Sequence, residues 1–301
     1  MNTGITDPGT GGGPAVPRAA VIIPHYNDVA RLARCLDALM CRDTAGTEIV
    51  VVDNGSTEPL DTVRAAHPAV RFVTEPQKGA AAARNRGVLE TTAQHLFFLD
   101  ADCVPAPDWL AVAQSAVLRA DLVGGRIGVF DETPAPRNGP QAFETVFAFD
   151  YRRYIEVKGF SVTANLLTHR DVFLAVGPFV PGLSEDMDWC RRATARGYRL
   201  ICAEDLAVGH PTRSTWPELR RKWHRTTREM FALNGTGPAA RLKWALRAVA
   251  MPLSALPHLP RVLTSPRLQG AGERARAATT LVRLRAQRGL WMLLQAAGRA
   301  I

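Results

Sequence analysis

The stretch FFLDADCVP, residues 97–105, sets two carboxylates, Asp100 and Asp102, one residue apart at the end of an apolar run. In an extended chain, side chains two positions apart point to the same side, so both carboxylates address one point. A carboxylate leaving a buried strand needs a partner, because an isolated charge is costly to desolvate. A divalent cation, Mg2+ or Mn2+, is such a partner, and through it a diphosphate can be held. Asp108 is better placed than either residue to cap the helix that begins near Pro107.

The elements that carry this pair are short apolar runs separated by helical patterns. AAVIIP (19–24), EIVVVD (48–53), VRFVTE (70–75) and HLFFLD (95–100) read as buried strands. Between them, Val29, Leu32, Leu36, Leu39 and Met40 recur at helical spacing, and TVRAAHP and GAAAARNRGVLETTA also read as helices. Strands apolar throughout and separated by helices predict a doubly wound, mainly parallel α/β sheet flanked by helices. Ligands bind such sheets beyond the carboxyl ends of the strands, where this chain places His25-Tyr26-Asn27, Asp53-Asn54-Gly55-Ser56 and Asp100-Ala101-Asp102. Neither G-x-G-x-x-G after the first strand nor G-x-x-x-x-G-K-[ST] occurs, which argues against a dinucleotide fold or a P-loop.

Beyond Pro105 the pattern predicts a helix over 106–119, a strand with a glycine bulge over 121–130, a turn-rich loop over 131–140 and a helix over 145–157. FSVTANLLT, HRDVFLAVG, EDMDWCRRATARG, YRLICA and LAVGH follow, and from Thr215 the chain reads as helical, with breaks at 234–238 and among the prolines of 252–266. Three parts result: a disordered tail (1–18), an α/β domain (19–236) and a basic, partly apolar helical extension (237–301). The 301 residues, 47% hydrophobic, suffice for a large core. Five scattered cysteines without a C-x-x-C pair suggest neither a disulfide framework nor a zinc site, and the tail lacks the pattern of a signal peptide, so a cytoplasmic setting is expected.

The net charge of +9 is unevenly spread. Residues 211–301 hold 17 Lys and Arg against 3 Asp and Glu, whereas residues 1–210 hold 20 against 25. A basic, partly apolar C-terminal part suits an anionic membrane surface, with the protein peripheral at its inner face. Arg220, Arg221, Lys222, Arg225 and Arg228, beside Trp216 and Trp223, read as a patch for such a surface or for a substrate phosphate. Nucleic acid is not an expected partner, because no basic platform interleaved with aromatics is present.

VIIPHYN, VVDNGST, KGAAAARNRGV, FFLDADCVP, NLLTHRDVFLAVGPF, SEDMDWCRRATARGYRL and the closing GH together resemble the family 2 glycosyltransferases of the GT-A fold, over residues 19–210. The resemblance implies a metal-dependent, inverting transfer of a sugar from a UDP, GDP or dTDP donor to a hydroxyl acceptor. It implies that Pro24, Tyr26 and Asn27 line the base pocket, that Asp53 accepts a hydrogen bond from base or ribose, and that Arg84 approaches base or phosphates. Asp100 would lie nearer the ribose, Ala101 would also contact the donor, and Asp102, with His210 as a further ligand, would hold the metal. By the same resemblance Asp186 is the general base, Glu185 its neighbour, and Asn165 and Trp189 acceptor contacts. Asp188 is expected to serve the helix dipole only. Gly177-Pro178-Phe179 departs from the frequent Gly-Gly-Phe, Trp189 stands where leucine is frequent, and no family motif follows His210. Lipid-linked, cell-envelope and natural-product acceptors all fit. Two other classes remain at this point: a sugar-nucleotide nucleotidyltransferase, which would need the basic glycine loop that IIPHYND lacks, and a non-catalytic nucleotide-sugar-binding protein.

Overall fold

Alternate residues of the first four apolar runs go to opposite faces of one sheet. In the computed structural model, which describes residues 17–182 and 184–301, these runs are β1 (Ala19–His25), β2 (Thr47–Asp53), β3 (Arg71–Thr74) and β4 (His95–Leu99). Val21, Ile23, Ile49, Val51, Phe97 and Leu99 enter one core with α1 (Val29–Leu39) and α4 (Trp109–Ala116). Ile22, Leu96 and Phe98 enter a second, with α3 (Ala80–Leu89), α7 (Arg170–Val176) and α8 (Glu185–Ala195). Both faces are therefore covered, which is why the strands carry no polar alternation. On α3, Gly87 lies so close to the sheet that a methyl there would overlap Ile22.

The eight strands are ordered β3-β2-β1-β4-β7-β6-β8-β5. The neighbours among β1 to β4 run parallel, while β7 (Asn165–His169) is antiparallel to both β4 and β6 (Leu122–Phe130). The long β8 (Leu200–Pro211) returns parallel to β6 and pairs with the two-residue β5 (Val104–Pro105). The expected bulge in β6 is present as a register shift between Gly125 and Arg126. The remaining helices are α2 (Asp61–Ala66), α5 (Gly139–Phe147), α6 (Tyr151–Glu156), α9 (Trp216–Asn234), α10 (Pro238–Leu253), α11 (Leu259–Leu263) and α12 (Gly270–Ala296).

YRLICA and LAVGH form one strand, and within FSVTANLLT the strand starts at Asn165. The helix expected over 145–157 is broken between α5 and α6, where Phe149 takes a positive φ of 50°. That break turns the Phe149 ring toward His210, 4.7 Å between centroids, with Lys222 over it at 5.3 Å. The tail expected over 1–18 lies almost wholly outside the described residues.

The C-terminal helices pack on α5. Asn138 and Thr215 each close a capping box, with Gln141 and Glu218, that starts α5 and α9. Phe143 and Val146 of α5, Leu219 of α9, Val262 of α11 and Leu281 and Leu284 of α12 share one apolar cluster. Phe143 and Glu144 of α5 and Trp223 and Arg225 of α9 share one cleft with the strand-end residues Asp100, Asp102 and His210.

Candidate active site

This cleft, of about 550 Å3, opens at the carboxyl edge of the sheet. Pro24, Tyr26, Arg84, Asp100, Ala101, Asp102, Glu185, Asp186 and His210 all line it, although they come from β1, α3, the end of β4, α8 and β8. Tyr26 is 55% exposed, with Lys78 Nζ 4.6 Å from its ring centre. Arg84 is buried and committed to two carboxylates: one Nη donates to Asp100 Oδ1 at 2.6 Å and the other to Glu185 Oε1 at 2.9 Å. Burial opposes its charge, yet Asp100 and Glu185 outweigh that and hold its pKa above the ordinary value. Arg84 thus ties the strand tip to the start of α8 while lining the cleft.

Asp102 Oδ2 lies 3.3 Å from His210 Nε2. The other ring nitrogen, Nδ1, donates to the Pro211 carbonyl at 2.7 Å, which leaves the Nε2 lone pair facing the carboxylate unless that nitrogen is also protonated. Two electron-pair donors in contact call for a proton or a cation between them, and a hard divalent cation fits this mixed O,N pair. Among the described residues no group of three His, Cys, Asp or Glu side chains could hold a metal ion, so the remaining ligands would come from water and a bound diphosphate. Beside the pair, a groove of about 400 Å3 is lined by Arg31, Arg213, Arg221, Lys222 and Arg225.

Asp186 lines the same cleft, at the first turn of α8. Burial, with Glu185 next to it, pushes its pKa from 3.8 up to about 6, although Oδ1 accepts the Met187 N–H at 2.7 Å. A carboxylate near 6 is well matched to taking a proton at neutral pH. Asp188 instead pairs with Arg192 at 2.9 Å.

Other predicted contacts lie elsewhere. Asn27 accepts from Thr57 N at 2.7 Å and Glu58 N at 3.3 Å, so its side chain clamps the loop after β2 and is not part of the cleft wall. Asp53 Oδ1 is turned into the same loop, accepting from Ser56 N and Oγ at 3.1 and 2.5 Å. Asn165 and Trp189 are corrections: both are fully buried and cannot touch an acceptor. Asn165 accepts from Trp109 Nε1 and donates to the carbonyls of Arg126 and Leu206. Trp189 donates to the Gly177 carbonyl and stacks on Phe173.

Two acidic wall residues, Glu144 and Glu229, were not anticipated. Glu144 is 2% exposed and accepts from Lys222 Nζ at 2.8 Å and from Arg213 N and Nη1 at 2.8 and 2.9 Å. Burial alone would raise its pKa, but Lys222 and Arg213 hold it at about 2. Glu229 of α9, lifted to about 7 by desolvation with Glu185 and Asp186 in its field, also faces the cleft. His25 is buried with neither ring nitrogen bonded, and desolvation lowers its pKa. A hydrophobic histidine-bearing strand end gives no local signal for such burial.

The sequence signature of glycosyl transferase family 2 matches residues 20–177. The chain belongs to that family. It is 33% identical over 221 residues to glycosyltransferase AglE of Haloferax volcanii, covering 69% of this chain and 71% of that one. It is 26% identical to the pre-mycofactocin glycosyltransferase of Mycobacterium tuberculosis, covering 97% of this chain and 66% of that one. Among solved structures, the mannosyltransferase PcManGT of Pyrobaculum calidifontis, in complex with GDP-Man and Mn2+, superposes with a TM-score of 0.58 at 22% identity, covering 94% of this chain and 86% of that one. TarS of S. aureus, residues 1–349, gives a TM-score of 0.52 at 14% identity, covering 89% and 90%. These structures show the fold of the family 2 glycosyltransferases, the GT-A fold. No helix among the described residues is long and apolar enough to cross a membrane.

Proposed function

We propose that this family 2 glycosyltransferase is an inverting, metal-dependent enzyme that transfers a sugar from a nucleoside diphosphate donor to a hydroxyl acceptor. The observation that carries the reading is the placement, across one cleft, of the Asp102–His210 pair and an Asp186 carboxyl whose environment brings it to about 6. Bound between Asp102 and His210, Mg2+ or Mn2+ would neutralise the charge that develops on the departing diphosphate. The chain's own residues do the rest. Arg84 keeps Asp100 and Glu185 in register; Arg213, Arg221 and Arg225 present cations to the phosphates; Asp186 accepts the acceptor hydroxyl proton as that oxygen attacks the anomeric carbon. Attack from the Asp186 side, opposite the leaving diphosphate, inverts the anomeric centre.

GDP and UDP sugars lead the donor candidates, since PcManGT is complexed with GDP-Man and Mn2+ and TarS with UDP; dTDP sugars complete the set. Thermal-shift screening of these donors with Mn2+ tests the reading, because a ligand of the native state raises its melting temperature. Asp102→Ala should lose the shift, and Asp186→Ala should keep it while losing transfer. Loss of the shift in both variants, or full transfer in excess chelator, would count against this division of roles.

The same proposal places the enzyme at an anionic membrane surface. Leu242, Leu246, Val249 and Leu253, each more than 60% exposed, form a stripe at helical spacing along α10, with Lys243 and Arg247 beside them. Between Glu229 and Glu273 the sequence holds five Lys and Arg and no acidic residue. Pairing this face with a second copy would oppose like charges, whereas anionic lipid complements it. Leu246→Glu together with Val249→Glu should abolish co-sedimentation with phosphatidylglycerol vesicles; undiminished sedimentation would refute the surface.

A further inference from the structure

Behind the cleft lies a second recess, of about 150 Å3, between α5, α6, α9 and α12. It shares Phe143, Phe147, Tyr154 and Trp223 with the main cleft, so the two adjoin along these aromatic rings. Its charge is lopsided. Arg153, Lys158, Arg261, Arg285 and Arg288 line it against a single carboxylate, Asp150, which lies 3.8 Å from Arg261. Among the described residues no carboxylate lies within ion-pair distance of the other four cations. Arg288 stacks over Trp223 at 4.4 Å, and its Nε reaches only Thr227 Oγ1, at 3.4 Å. Arg285 points one Nη at the Met251 sulfur, 3.3 Å away. Trp223 Nε1 is buried and has no hydrogen-bond partner.

Half-buried guanidinium groups, those of Arg285 and Arg288, without a carboxylate partner beside a small recess are costly unless an anion enters. Desolvation, with Arg285 adjacent, already lowers Arg288 to about 10. The guanidinium forks of Arg285 and Arg288, with the Lys158 ammonium at the rim, match the tetrahedral oxygens of phosphate.

We propose that this recess binds a phosphate group carried by the acceptor, so that the acceptor is a phosphorylated molecule whose nucleophilic hydroxyl lies in the adjoining main cleft, at Asp186. This assignment rests on the glycosyltransferase reading for the word acceptor, but the anion site itself does not. It lies apart from the groove at Asp102 and His210, to which Arg31 and Arg221 belong and in which the donor diphosphate is placed.

Inorganic phosphate is the first probe, titrated against the full chain by thermal shift and by Trp fluorescence. Arg288→Met should weaken phosphate binding about tenfold or more, the loss of one charge-assisted contact, while Arg221→Ala should leave it within about twofold. Lys158→Ala, at an exposed position, gives a variant whose folding is not at risk and should also weaken it. Binding insensitive to Arg288→Met and Lys158→Ala, or lost with Arg221→Ala alone, overturns the site. Glucose 6-phosphate and a short prenyl diphosphate glucose in detergent, each with phosphate and sugar hydroxyls in one molecule, then compete for it: displacement by either supports a phosphorylated acceptor and separates a soluble source from a lipid one, and displacement by neither overturns the acceptor assignment. A nucleotide–Mn2+ shift measured on the same samples separates the two readings. If it is present and the phosphate effect absent, only this inference fails; if phosphate binds through Arg288 and no nucleotide binds, the glycosyltransferase mechanism fails and the anion site stands.

Discussion

Replacing Asp186 by Asn keeps the shape of the side chain and removes the proton acceptor. Loss of a general base lowers turnover about 100- to 10,000-fold, with donor binding retained because Asp102, His210 and the cationic groove are untouched. The wild type adds a quantitative pH signature. With the carboxyl at about 6, roughly nine tenths of it is ionised at pH 7 and about one tenth at pH 5, so kcat should fall about tenfold across that interval. Stability should move the other way. The folded state keeps the Asp186 proton up to about 6, whereas the unfolded chain releases it near 3.8, so the protein loses stability as pH rises through that window and stays lower above it. The gap corresponds to at most about 3 kcal/mol, and Asp186→Asn, which carries no charge to desolvate, should recover part of it at pH 7. Initial rates of donor consumption from pH 5 to 8, alongside urea unfolding of both proteins, check all of this. A level wild-type profile between pH 5 and 7, or a variant keeping more than about a tenth of the turnover, would remove Asp186 from the base role.

Arg84→Met leaves Asp100 and Glu185 without the cation they share and should cost about 3–5 kcal/mol in urea unfolding; Arg84→Lys should recover little, because one ammonium cannot reproduce the two-armed fork. Glu144→Ala strands Lys222 and Arg213 and should cost a similar amount, about 3–5 kcal/mol, at neutral pH. In the wild type the Glu144 contribution is present above its ordinary 4.5 and fades as pH falls toward about 2, so the gap between wild type and Glu144→Ala should narrow in acid when followed by far-UV circular dichroism. Mn2+ affinity, read by electron paramagnetic resonance in the presence of UDP or GDP, should fall about tenfold or more in both Asp102→Ala and His210→Ala; an unchanged affinity in His210→Ala would assign the Asp102–His210 contact to a protonated ion pair.

The sheet and its polar edge were legible because they obey local rules. Apolar runs of strand length alternate with helical spacing, and the residues that end β1, β2 and β4 are polar, so the cleft side of the sheet follows from topology. Asn165 and Trp189 show where a resemblance carried residue by residue overreaches. Asn165 shares strand parity with Leu167, a core residue, and is separated by one residue from that face's partner, so β7 alternation already points it inward. Trp189 falls on the same flank of α8 as Cys190 and Ala193, all buried, while Glu185 and Asp186 sit a turn earlier where the helix emerges into the cleft.

The far wall was hidden for a different reason. Lys222 reads in sequence as one cation in a basic run, free for lipid or phosphate, but Glu144, 78 residues earlier, takes it as a buried partner together with Arg213. The run therefore divides: Lys222 is spent on joining α9 to α5, Arg220 stacks on Trp291 at 5.6 Å, and Arg221 and Arg225 face the groove at Asp102. Charge counting along the chain gives the total and cannot give this division, because the neutralising carboxylate arrives from another element. The same division explains why the excess of positive charge persists inside the protein: with Glu144 consumed and Glu273 bound by Arg137, α12 brings Arg285 and Arg288 to the recess behind the cleft with no acid left on α9 or α12 to meet them there. A fold that retains that imbalance beside the cleft suits an anionic occupant, and the proposed phosphorylated acceptor would supply the charge and the reacting oxygen in one molecule.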